Sequence, residues 1–101
     1  AKKFAEKLVQ TGIISVKEIY LYGSYAVGNP NLWSDIDVAV IIDTDLELEE
    51  LINVEAKVRM LARKVDQRIE PVIFSSDPLG FVESEVKKGI RIYPEVTDDK
   101  V

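Results

Sequence analysis

Apolar positions recur along this chain with two different periods, and the switches between them mark its elements. Phe4 and Leu8, with Ala5 and Val9 beside them, fall on one stripe at helical spacing. Residues 2–11 are therefore predicted to form an amphipathic helix, with Gly12 as its stop. Ile19-Tyr20-Leu21-Tyr22 is β-branched, aromatic and apolar, the composition of a strand, and it ends at Gly23. Residues 24–27 suit a short helical turn closed by Gly28, and Asn29-Pro30-Asn31 is a loop by composition. Ile36-Asp37-Val38-Ala39-Val40-Ile41-Ile42 is the clearest strand, and its nearly unbroken apolar run predicts cover on both faces.

The pattern then turns helical again. Thr44-x-x-Glu47 has the form of a capping box, and a helix is expected to follow to about Lys64. Leu48, Leu51, Ile52, Val54, Val58, Leu61 and Val65 are placed on or near its inner face. Acidic residues crowd its start and basic ones its end, as the helix dipole favours. Arg68 to Phe74 is the next strand. Pro71 has no N–H to donate, which places that strand at or near a sheet edge. Asp77-Pro78 opens a helix expected to run to Lys88 and stop at Gly89. Ile90-Arg91-Ile92-Tyr93 suits a short last strand. The sum is a small α/β (α+β) domain, a mixed sheet with helices packed on at least one face. It is expected to occupy residues 1–93, with 94–101 as a flexible tail.

Composition narrows the chemistry. The 101 residues suit one domain, and 47% of them are apolar. There is no cysteine and no histidine. Disulfides, thiol catalysis, the usual zinc sites and imidazole bases are excluded. Any bound metal must take oxygen ligands, which points to Mg²⁺ or Mn²⁺. The net charge of −5 argues against a broad nucleic-acid surface. A small anionic substrate arriving with its own cation remains compatible. No apolar run approaches the ~20 residues that cross a membrane. The first residues lead into the helical pattern rather than a signal peptide, so a cytoplasmic protein without membrane attachment is expected.

Three features bear on function. Gly23-Ser24 follows a strand directly, with Gly28 four residues after Ser24. Such a turn lets the backbone approach a ligand and offers N–H groups and a hydroxyl to phosphate oxygens. Asp35-Ile36-Asp37 opens the apolar strand, where alternation points both carboxylates to one face. They repel there unless a cation lies between them. Glu70, inside the later strand, is a candidate third carboxylate, and its plain reading is an edge charge that deters aggregation. Three carboxylates can hold one or two Mg²⁺ ions that align a triphosphate and an attacking hydroxyl. Singly, each feature is more often structural, a glycine-bounded turn or a solvated strand end. Trp33 and Tyr25 flank the region, Tyr20 and Tyr22 suit the core, and Arg59, Arg63 and Lys64 suit a solvated helix face.

Gly23-Ser24-Tyr25-Ala26-Val27-Gly28 followed by Ser34-Asp35-Ile36-Asp37-Val38-Ala39-Val40 resembles the signature of the DNA polymerase β-like nucleotidyltransferase superfamily. The nearest likeness is to its minimal, MNT-type branch. The spacing of eleven residues from Ser24 to Asp35 is in that branch's range. The similarity runs from Leu21-Tyr22-Gly23-Ser24 to Gly89-Ile90-Arg91-Ile92-Tyr93. The resemblance implies transfer of a nucleoside monophosphate, AMP from ATP foremost, onto a hydroxyl of a protein or small molecule. It implies that Gly23 and Ser24, with Gly28 and Ser34 beside them, bind the nucleoside triphosphate. It implies that Asp35 and Asp37 bind Mg²⁺ (or Mn²⁺), and that Glu70 takes the place of the third catalytic carboxylate. The family usually has aspartate there, one methylene shorter. MNT-type proteins are often paired with a HEPN-family partner as toxin–antitoxin systems, so such a partner is an expectation, as is a homo-oligomer. Two other classes stay open: a nucleotidyltransferase-fold binding module that acts on a partner protein without turnover, and an acidic α/β domain such as a phosphorelay receiver. The receiver fits poorly, because its acidic residues sit at the C-terminal ends of strands and this pair opens one.

Overall fold

The computed structural model describes residues 2–23, 35–76 and 80–94. Helix α1 spans Lys2–Thr11, β1 Val16–Tyr22, β2 Ile36–Ile42, α2 Leu48–Val65, β3 Ile69–Phe74, a short helix Val82–Val86 and β4 Ile90–Tyr93. The strands form one mixed sheet in the order β3-β2-β1-β4. β1 runs antiparallel to β2 and to β4, while β2 and β3 are parallel and α2 makes the crossover between them.

The unbroken apolar run of β2 follows from its place in the sheet. Ile36, Val38, Val40 and Ile42 face Phe4 and Leu8 of α1 and Val58 and Ala62 of α2, in one core with Ile19 and Ile69. On the other face Ala39 packs with Tyr20 and with Val82 and Val86 of the short helix, bordered by Tyr22, Ile41 and Phe74. With strands on both sides and cover on both faces, β2 has only its first residues left for chemistry. β3 is an edge strand, as Pro71 requires, and β4 is the opposite edge.

Four expectations need correction. The capping box lies three residues later than Thr44: Glu47 is the N-cap and exchanges hydrogen bonds with Glu50. The Thr44 hydroxyl instead donates to Asp43 Oδ1 at 3.3 Å. Leu48 and Ile52, expected on the inner face of α2, are 72% and 56% exposed. Val58 and Ala62 set the inward direction, and Ile52 stands roughly a quarter-turn away from it. β1 begins at Val16 rather than Ile19, with a register shift near Glu18 that lets the polar Lys17-Glu18 join the ladder. The helix expected from Asp77 is described only over Val82–Val86, wound in the wider π form, with Lys87 N–H donating to Val82 O at 2.8 Å.

Gly12 ends α1 at φ +67°, as a C-terminal stop should. Gly89 has no such conformation, and its need for glycine is one of space. The turn expected at 24–27, Gly28, the 29–31 loop, Asp77-Pro78 and residues 95–101 of the tail lie outside the described residues. Among the described residues no helix is long and apolar enough to cross a membrane.

Candidate active site

Strand register assembles the acidic residues. Asp37 pairs with Tyr22 on β1 and with Glu70 on β3. Register neighbours share a sheet face, so all three side chains lie on the face away from α1 and α2. Asp35 stands just outside β2 and is exposed. Gly23 follows Tyr22 at φ +78°, and a Cβ there would run into Asp37 Oδ2 and lie 3.3 Å from its Cγ. The backbone of Gly23 and the carboxylate of Asp37 are thus in direct contact across the two strands, which the sequence spacing alone does not reveal.

The turn between α2 and β3 sets the phase of Glu70. Asp66 Oδ1 accepts hydrogen bonds from Arg68 N–H at 2.9 Å and from Arg68 Nε at 3.2 Å, and Oδ2 accepts one from Nη2 at 2.9 Å. These bonds hold the Asp66 carboxyl down at about 2. The depressed value means their support is present above the ordinary carboxylate range and fades as pH falls toward 2. A slip of one residue here would move Glu70 to the opposite face.

Electrostatics single out Asp37. It is partly buried, and its pKa is raised first by burial, then by the negative charges of Asp35 and Glu70. Burial, then Asp37, raises the Tyr22 hydroxyl as well. An acid whose pKa is raised by folding favours its protonated form, so its ionisation works against the fold above that pKa. Asp37→Asn is therefore expected to stabilise the metal-free protein at pH 7, by at most about 1 kcal/mol given solvent screening. The gain should shrink as pH falls through the raised pKa of Asp37 and vanish below 3.8. Urea denaturation of both proteins at pH 7 and at acid pH checks this.

Glu70 is engaged elsewhere. Arg63, from the last turn of α2, places Nη2 2.5 Å from Glu70 Oε2 and donates from Nε to Ile69 O at 3.4 Å. Arg63 lies on the exposed helix face expected of it, 42% exposed, and in addition reaches over the sheet edge to Glu70. Among the described residues no three acidic groups are gathered so as to hold a metal ion. The structure brings Asp37 beside Asp35 and Glu70 but leaves Glu70 with Arg63. The donor set still suits a hard divalent cation, being all carboxylate, and a cation would relieve the repulsion that raises Asp37. Ser24, Gly28 and Ser34, with Tyr25 and Trp33, lie outside the described residues.

Sequence reasoning also missed Phe81. It is 40% exposed and meets Tyr22 edge-on at 6.0 Å and Phe74 in a stacked pair at 5.9 Å. Its position after residues 77–80 carried no periodic signal.

Comparison with known proteins bears on the family and the fold. The family "Polymerase beta, Nucleotidyltransferase" matches residues 2–98. No curated protein matches the chain. Two solved structures are similar. One is a crystal structure of a mutant of the toxin–antitoxin MntA–HpeT, 24% identical, covering 98% of this chain and 77% of that one at a TM-score of 0.63. The other is a crystal structure of a toxin–antitoxin with AMP-PNP, 27% identical, covering 97% and 76% at a TM-score of 0.62. The mixed four-stranded sheet is the nucleotidyltransferase fold of these neighbours. With a family match over nearly its whole length, the chain belongs to the polymerase β nucleotidyltransferase family.

Proposed function

We propose that this chain transfers a nucleoside monophosphate, AMP from ATP foremost, onto a hydroxyl of a protein partner. The observation that carries the reading is the contact of Gly23 with the Asp37 carboxylate, beside Asp35 and Glu70. It sets a strand-end glycine turn, suited to phosphate, against a carboxylate pair suited to a divalent cation. In this reading Gly23, Ser24, Gly28 and Ser34 hold the triphosphate. Asp35 and Asp37 hold Mg²⁺ or Mn²⁺, joined by Glu70. The cation, when bound, neutralises charge on the triphosphate. The acceptor oxygen forms a bond to the α-phosphorus as the bond to the β-phosphate oxygen breaks, and pyrophosphate leaves. The acceptor proton passes to a carboxylate of the site, with Glu70 in the fitting place. The toxin–antitoxin neighbours support a protein acceptor, and we assign this chain the antitoxin role, with a HEPN-family toxin as its partner.

A second reading, a binding module that blocks its partner without chemistry, is favoured by one observation. Glu70 is held by Arg63 rather than gathered with the aspartates. The two readings separate with ATP labelled at the α or the γ position, in the presence of Mg²⁺ and the product of the neighbouring gene. Transfer predicts that label moves from the α position and not from the γ position. Label from neither position, with the partner still bound, favours the module.

A further inference from the structure

We infer that Arg63 is a positioning residue that holds Glu70 out of the metal site, so that the third carboxylate joins only when this ion pair opens. The inference rests on the nucleotidyltransferase reading and adds a lock to its site.

Arg63 and the acidic face are on opposite sides of the sheet. α2 packs with Val58 and Ala62 on one face, and Glu70 lies in register with Asp37 on the other. The two meet because β3 is an edge strand and a long arginine side chain can pass around it. The guanidinium makes two contacts, Nε to the Ile69 carbonyl and Nη2 to the Glu70 carboxylate. The backbone contact fixes the fork against the strand, so Arg63 draws Glu70 toward the edge rather than following it.

The lock is built to open. Its partners are 42% and 37% exposed, and exposed pairs of this kind contribute little to stability. A divalent cation on Asp35 and Asp37 cancels their repulsion of Glu70 and offers it a ligand position beside the neighbouring strand. Glutamate supplies the reach for both positions, one at the edge with Arg63 and one toward Asp37. The extra methylene relative to aspartate gives this exchange a physical use.

The test is a double-mutant cycle read by Mn²⁺ binding to the whole chain, with free Mn²⁺ followed by electron paramagnetic resonance. Both side chains are partly exposed, and circular dichroism confirms that each variant is folded. Arg63→Gln is expected to tighten Mn²⁺ binding about fivefold, as a coupling of ordinary size would. In a Glu70→Gln background the same change should alter affinity by less than about twofold, because no carboxylate remains to be released. An equal gain in both backgrounds overturns the lock, since the effect is then one of net charge. So does the absence of any gain where binding is lost in Asp35→Asn with Asp37→Asn; that result leaves the nucleotidyltransferase site standing. Failure of the wild type and every variant to bind Mn²⁺ overturns the lock and the metal site together.

Discussion

Gly23→Ala is expected to lower nucleotide transfer by at least about a hundredfold while costing only roughly 1–2 kcal/mol of stability. The stability term comes from the backbone, because φ +78° is a conformation that a residue with a Cβ adopts at a cost. The activity term comes from the collision. The new Cβ meets Asp37 Oδ2, the tip of a side chain that can rotate away. The fold therefore survives and the carboxylate does not keep its place. Small displacements of a catalytic group cost large factors in rate, which sets the expected size. Transfer rates and urea denaturation on the same preparation check the two terms. Activity within twofold of wild type would mean that Asp37 does not need this position.

Gly89→Ala should do the reverse, harming the fold first. A Cβ at Gly89 runs into the Leu21 carbonyl oxygen and lies 3.1 Å from both Leu21 C and Tyr22 Cα. All three atoms are backbone, so no side chain can turn aside. β4 must draw back from β1 where Ile90 pairs with Leu21. Overpacking of this kind costs typically about 1–3 kcal/mol. For a domain of this size the melting temperature should fall by roughly 5–20 °C. Loss of transfer should then follow loss of fold, because Tyr22 leads directly into Gly23. A melting temperature unchanged within a degree or two would contradict the β1–β4 packing described.

The contrast between these glycines shows what the sequence could and could not convey. Period and composition placed α1, β2, α2 and β3, because each buries a face or a full run of apolar residues whose spacing is visible in the chain. β4 was placed by its β-branched and aromatic composition alone, and none of its residues is fully buried. The edge position of β3 was legible from Pro71. The start of α2 was not, because two acidic residues at that spacing can cap as well as Thr44 with Glu47. Nor was the exposure of Leu48 and Ile52, since an apolar residue at helical spacing does not announce which side meets the sheet. Within the site, Asp35 and Asp37 were legible as a pair and Glu70 as a third acid. Arg63 was not, because its contact depends on an edge strand over which a side chain from the opposite face can reach. Phe81 fell inside the span read as one helix from Asp77 to Lys88, and nothing in that pattern sets its ring against Tyr22 and Phe74.

Calorimetric titration with a non-hydrolysable ATP analogue tests whether Asp35 and Asp37 hold a cation that binds a nucleoside triphosphate. It is run with and without Mg²⁺ on the wild type and on Asp35→Asn combined with Asp37→Asn. Mg²⁺-dependent binding is expected of the wild type, with at least about a tenfold loss in the double variant, the scale of a disturbed metal site. Equal binding with and without Mg²⁺, or equal binding by the two proteins, would contradict this reading of the pair.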